Sequence, residues 1–201
     1  MKKYILALLI VLLLVPAGLF AGIFNLSIGG TAQYKLPVDA TDIGEESFEG
    51  MTDIENWAFG GDIRMRILFA ELDVVGLYSK LEEGHRISGL VTAGVSLDLL
   101  GILRVGLGLG PRLGVDIKDD SSIIIYDPEG DPITGDTDFK AAFMNAPMTY
   151  RVTTDLKLGK VLVGLNYTVD SKFTFENLSV EDLAPDFQHG AIGVSVLYSL
   201  F

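Results

Sequence analysis

The chain has 201 residues, is 49% hydrophobic, carries a formal net charge of −12 and contains no cysteine. That length supports a single domain with a sizeable core or one closed barrel. The lack of Cys excludes a disulfide framework, a thiolate metal site and a lipidated amino-terminal Cys, and the acidity argues against nucleic acid, which needs a basic stripe.

The first stretch, MKKYILALLIVLLLVPAGLFA, has Lys2 and Lys3, an apolar core from Tyr4 to Val15, a break at Pro16-Ala17-Gly18 and a small residue, Ala21, at its end. This is the pattern of a secretory signal peptide over residues 1–21, and it predicts export through the general secretory route. Removing its two lysines takes the formal charge from −12 to −14 in the mature chain, residues 22–201. Beyond it, no apolar run is long enough for a membrane-spanning helix.

The mature chain instead shows a recurring period of two, the signature of strands with unlike faces. Leu26, Ile28, Ala32, Tyr34 and Leu36 alternate with Asn25, Ser27, Thr31, Gln33 and Lys35. Trp57, Phe59, Ile63, Met65, Ile67 and Phe69 then oppose Asp62, Arg64 and Arg66, and Leu72, Val74 and Tyr78 oppose Glu71, Asp73 and Ser79. The fourth run sets Ile87, Val91, Val95, Leu97 and Leu99 against Arg86, Ser88, Thr92, Ser96 and Asp98. In the fifth, RVGLGLGPRLGVD, Val105, Leu107, Leu109, Leu113 and Val115 oppose Arg104, Arg112, Asp116 and four glycines. A sixth alternates Met144, Met148, Tyr150, Val152, Leu156 and Leu158 with Asn145, Thr149, Arg151, Asp155 and Lys157. The seventh pairs Val161, Val163, Leu165, Tyr167 and Val169 against Asn166, Thr168 and Asp170, and the last pairs Ile192, Val194, Val196, Tyr198 and Leu200 against Gly193, Ser195 and Ser199.

These runs predict an all-β, eight-stranded antiparallel up-and-down barrel, each strand near the length that crosses a bilayer. Short connections are expected near Phe69-Ala70, at Leu100-Gly101-Ile102 and at Gly159-Lys160, a Gly-first pair suited to a type II′ turn. Residues 37–55, 117–139 and 171–188 form long acidic connections at the other end, joined by a shorter one at 80–85. Short turns at one end and long loops at the other is the layout of an outer-membrane barrel.

Volume decides which face meets lipid. The interior of an eight-stranded barrel is only just wide enough for its side chains, and roughly forty large apolar residues of one parity would overfill it. The Gly, Ser, Thr and Asn of the other parity fit. The charges of that parity also form a nearly balanced interior set, in which Asp62, Arg64, Arg66, Glu71, Asp73, Asp98, Arg104, Arg112, Arg151, Asp155 and Lys157 are candidate members of one network, with Lys35, Arg86, Asp116 and Asp170. Buried charges persist only when paired, and tight turns would set Arg66 opposite Asp73 and Asp98 opposite Arg104. Tyr34, Trp57, Phe59, Tyr78 and Tyr150 fall toward the loops and Phe24, Phe69 and Tyr198 toward the turns, as interfacial girdles would.

With this architecture residues 22–201 resemble the small outer-membrane barrel family that includes the OmpA transmembrane domain, OmpX and OmpW. The carboxy-terminal GVSVLYSLF looks like the family's assembly signal ending in Phe, although Phe201 has the parity of Ser199 and Leu197 rather than that of Tyr198. The resemblance implies the outer membrane of a diderm bacterium, contact with outer-membrane lipids, and recognition of the last strand, ending at Phe201, by the insertion machinery.

Few residues suggest chemistry. His85 and His189 are the only imidazoles, and no triad spacing accompanies them. The loop DPEGDPITGD lacks the ligand spacing of a calcium site, so no metal, cofactor or catalytic residue is expected. Pro111 and Pro147 each remove a ladder donor at similar heights in the fifth and sixth strands, which makes them a candidate lateral seam. Val75, Leu77 and Leu90 have interior parity near the loop end and are candidates for a shallow apolar pocket. The expectation is a non-enzymatic barrel with acidic surface loops and a structural or surface-interaction role. The alternative is a narrow channel or an OmpW-like carrier of small or apolar solutes.

Overall fold

A sheet with one apolar and one polar face must give each face its own environment, and the strands do so by closing on themselves. The computed structural model describes residues 23–36, 45–120, 122–125, 139–177 and 179–201. In chain order its elements are β1 (Phe24–Lys35), β2 (Trp57–Ile67), β3 (Ala70–Leu81), β4 (Gly84–Leu99), β5 (Leu103–Ile117), β6 (Ile123–Ile125), α1 (Phe139–Met144), β7 (Met148–Leu158), β8 (Val161–Ser171) and β9 (Pro185–Ser199). Each barrel strand pairs antiparallel with its neighbours, and β1 closes the ring against β9 from Ser27↔Ser199 to Lys35↔Ala191. Short β6 stands outside the ring and extends the hairpin edge of β5. No helix among the described residues is long and apolar enough to cross a membrane.

The two parities separate cleanly. Ile28, Ile63, Val74, Val91, Leu107, Val152, Leu165 and Val196 are exposed around the outer wall, while Ser27, Asp62, Arg64, Thr92, Arg151, Asp155 and Ser195 are buried within. A barrel in water would leave this apolar wall exposed to solvent, whereas in a bilayer the hydrocarbon covers it. The fold is thus that of a transmembrane β-barrel.

The short turns set the register. Ile67 pairs with Ala70, so the first turn is Leu68-Phe69, one residue earlier than the expected Phe69-Ala70. Arg66 therefore lies opposite Glu71, and Arg64 takes the place opposite Asp73 that the sequence pattern suggests for Arg66. In the second turn Leu99 pairs with Leu103 and Asp98 with Arg104, as expected. The third is Gly159-Lys160, with Gly159 at φ 66°.

Inward glycines allow the curvature of so narrow a ring. A Cβ on Gly60 would lie 1.8 Å from the carbonyl oxygen of Gly76, and one on Gly94 would lie 1.9 Å from that of Leu107. Only a residue without a side chain permits backbones to approach so closely.

Three local expectations change. Met144 ends α1, and β7 begins only at Met148. Tyr34 keeps its outward parity but is buried, because Trp57 (ring centroids 5.6 Å apart) and Phe48 (6.4 Å) cover it. Phe201 lies beyond the end of β9 at Ser199: the Leu200 amide still bonds the Leu26 carbonyl at 2.8 Å, and the Phe201 ring packs against outward-facing Phe24 at 6.1 Å.

Candidate functional site

The inward charges occupy three levels of the lumen. At the turn end, Asp98 takes all three cations of its level: Arg66 at 2.8 Å, Arg104 at 3.0 Å and Lys157 at 3.0 Å. Arg104 also donates to Asn25 Oδ1 at 3.3 Å. Three cations thus share one side-chain carboxylate at this mouth.

The middle level has the opposite balance. Arg64 donates to Asp62 at 3.0 Å, to Asp155 at 2.6 Å and to Ser195 Oγ at 3.0 Å. Arg151 reaches Asp62 at 2.6 Å and lies 3.4 Å from Asp73. Glu71 is buried beside them. Two guanidinia thus sit among four carboxylates, and Asp62 Oδ1, Glu71 Oε2, Asp73 Oδ1 and Asp155 Oδ1 have no hydrogen-bond partner among the described residues. Groups so buried normally find partners, which marks this level as polar space rather than a dry core. Side chains from opposite walls meet here and close the passage.

The loop-end level mixes charge with an apolar patch. Arg86 grips Asp116 through Nε (2.5 Å) and Nη2 (2.9 Å). Arg112 donates to Asp170 at 3.2 Å, and Thr149 donates to the same carboxylate at 2.5 Å. Val75, Leu77 and Leu90 are buried on the inner wall in one cluster with Ala58. Leu77 and Ala58 also line a cavity of about 180 Å³ that opens among Lys35, Arg86 and Arg112. Sequence reasoning places these cations in the interior set but does not single them out as a group. A tight turn sets Arg86 and Arg112 on the paired strands β4 and β5, but Lys35 stands on β1, which no tight turn joins to either.

The two prolines act on different ladders. The Arg112 amide donates to the Pro147 carbonyl at 3.0 Å, so β5 and β7 stay joined past both prolines. Amides alternate in direction along a strand, which turns the Pro111 nitrogen toward β4. There pairing stops after Leu90↔Arg112 and resumes at Ala93↔Leu109. The interruption therefore lies between β4 and β5, not between the two proline-bearing strands. Outside it, Gly89, Val91, Ala93 and Pro111 line an apolar groove of about 530 Å³. The groove is roofed by Phe143 and Phe175, whose rings stack at 5.2 Å.

His85 points outward and shares a 2.7 Å hydrogen bond with the Tyr78 hydroxyl, while the His189 side chain, residues 1–22 and the DPEGDPITGD stretch lie outside the described residues. Among the described residues no group of three or more His, Asp or Glu side chains is placed to hold a metal ion.

This geometry defines a small β-barrel of the outer-membrane type whose lumen is plugged by ion pairs. No protein-family model matches the sequence, and no curated protein matches it. Among solved structures the chain is similar to the outer membrane protein Ail of Yersinia pestis, determined in a phospholipid bilayer nanodisc, with 12% identity and a TM-score of 0.44 over 88% of this chain and 99% of that one. It is also similar to neisserial surface protein A, with 10% identity and a TM-score of 0.39 over 88% of this chain and 94% of that one.

Proposed function

We propose that the chain is an exported barrel of a diderm outer membrane, surrounded by outer-membrane lipids, whose role is structural or surface-interacting and is carried by its acidic loops. The observation that supports this most is the double crossing of the lumen by Arg64–Asp155 and Arg151–Asp62, each 2.6 Å. A passage spanned by side chains from both walls leaves the loops as the accessible surface. Single-channel recording of the refolded mature chain in a planar bilayer tests the reading. Silence from the wild type, with openings when Arg64 and Arg151 are both changed to Ala, is the expected result. Steady wild-type conductance that shifts in the variant would make the lumen a pathway and overturn it.

The β4–β5 interruption favours a second reading, a carrier of apolar solutes. The outer groove and the inner Val75–Leu77–Leu90 patch lie on either side of that ladder gap. Gly89→Leu fills the groove at a position where an added Cβ meets nothing within 4 Å. Uptake of an apolar dye into liposomes that is unaltered by Gly89→Leu would dispose of the carrier.

A further inference from the structure

The apolar groove on the outer wall lies where the sheet withholds side chains. Along β4 the outward positions are Ile87, Gly89, Val91, Ala93 and Val95, so the two smallest bracket Val91. Ala93 lies between its ladder partners Leu72 on β3 and Leu109 on β5, and Gly89 lies between Gly76 and Leu113. Backbone approach does not require either glycine: a Cβ on Gly76 or Gly89 meets nothing within 4 Å, unlike one on Gly60 or Gly94. The result is a trough of about 530 Å³ with no polar side chain in its lining among the described residues.

Its roof is held in place by polar bonds. Phe143 of α1 stacks on Phe175, which lies in the segment after β8. The Glu176 amide donates to the Met144 carbonyl at 3.0 Å, and Asn145 Nδ2 donates to the Glu176 carboxylate at 2.8 Å. The Met148 amide, at the start of β7, donates to the Phe173 carbonyl at 2.9 Å. Ala93 and Gly89 stand six and ten residues from Leu99, at the second turn. At about 3.4 Å per residue and a tilt of about 40°, the trough is about 15–25 Å above that turn, in the outer half of an apolar band about 25 Å tall.

We infer that the trough is a resident site for one acyl chain of an outer-leaflet lipid, which lies over Ala93 and Gly89 and passes beneath the Phe143–Phe175 pair. The inference rests on the transmembrane reading of the fold, since hydrocarbon is then the medium into which the trough opens. Left empty, its lining would forfeit dispersion contacts on one side. A second copy of the chain presents a convex wall, which does not enter a concavity under a roof, whereas a single chain does. The site retains a lipid, and so differs from the passage of solutes through the ladder gap considered above.

Native mass spectrometry of the mature chain, refolded into phosphatidylcholine vesicles and extracted in mild detergent, tests this. Wild type is expected to retain one phospholipid. Gly89→Leu should lower the retained fraction about tenfold, equivalent to losing contact with about two methylenes. Gly30→Leu, an outward change on β1 away from the trough, should retain the lipid as wild type does. Heat-modifiable gel migration shows which variants are folded. Phe143→Ser alters the roof without touching a strand and should also release the lipid. A folded wild type with no retained lipid, equal retention in wild type and folded Gly89→Leu or Phe143→Ser, or a protein dimer in place of the lipid adduct would overturn the site and leave the transmembrane reading standing. Failure of the wild type to insert into vesicles would overturn both.

Discussion

Arg151 and Asp62 meet at 2.6 Å although they sit on strands four places apart in a ring of eight. The same two strands exchange a second, reversed pair, Arg64 on β2 to Asp155 on β7, also at 2.6 Å. The barrel is riveted across its diameter twice, with acid and base alternating on each wall. Removing one member strands a buried charge, which costs about 3–5 kcal/mol. Arg64→Met should therefore lower the urea unfolding midpoint markedly. Adding Asp155→Asn in the same chain should recover part of the loss, with a coupling of about 0.5–3 kcal/mol, and strictly additive midpoints would show that the rivet carries no energy.

Gly60 on β2 and Gly76 on β3, whose ladder partners are Leu77 and Gly61, should behave oppositely. The Cβ of Gly60→Ala would fall 1.8 Å from a backbone oxygen, whereas that of Gly76→Ala meets nothing within 4 Å. Gly60→Ala should impair refolding into vesicles, and Gly76→Ala should refold with wild-type yield.

Leu100 adopts φ 53° in the second turn, a left-handed conformation, and is 94% exposed. A side chain that packs against so little gives nothing to offset the strain of about 1–2 kcal/mol. Leu100→Asn, a residue that tolerates this region, is expected to raise the unfolding midpoint. A lowered midpoint would mean that the leucine makes a membrane contact worth more than the strain.

The chain end is pinned by Asn25, which donates to the Phe201 main-chain oxygen at 2.6 Å and to Ser199 Oγ at 2.5 Å. If the insertion machinery reads this strand, Phe201→Ala should slow machinery-assisted assembly several-fold. Spontaneously refolded Phe201→Ala protein should keep a stability within about 1 kcal/mol of wild type, as for surface changes. Equal assisted rates for the two chains would remove Phe201 from the recognition step.

Strand number, facing and closure are legible in the sequence because lipid and lumen impose opposite demands at every second residue, from Leu26 against Ser27 to Val196 against Ser195. Heights are less so. The sequence pattern sets Arg66 opposite Asp73, and a turn centred one residue earlier moves it to Glu71 without changing its face. A period of two cannot register a shift of two residues. Contacts between strands that are not neighbours, such as Gln33 to Asn166 at 3.2 Å on either side of Gly193, are beyond reach for a related reason, since alternation states which way a side chain points and not what it meets. The covering of Tyr34 by Phe48 comes from a loop whose apolar residue has no periodic neighbours to announce it. The loop-end cations are each visible, and the short β4–β5 turn relates Arg86 to Arg112, but the approach of Lys35 on β1 depends on closure of the ring.

The cross-lumen pairs also constrain the order of events in assembly. Their members are 89 and 91 residues apart along the chain, so they are non-local contacts, the kind that order slowly. Until β7 arrives, β2 and β3 present Asp62, Glu71 and Asp73 to the middle level with Arg64 as its one guanidinium. Such an amino-terminal half would meet hydrocarbon with uncompensated carboxylates, which a bilayer resists. Ring closure and entry into the membrane are therefore one cooperative step, and a half-built sheet has no resting place in the bilayer.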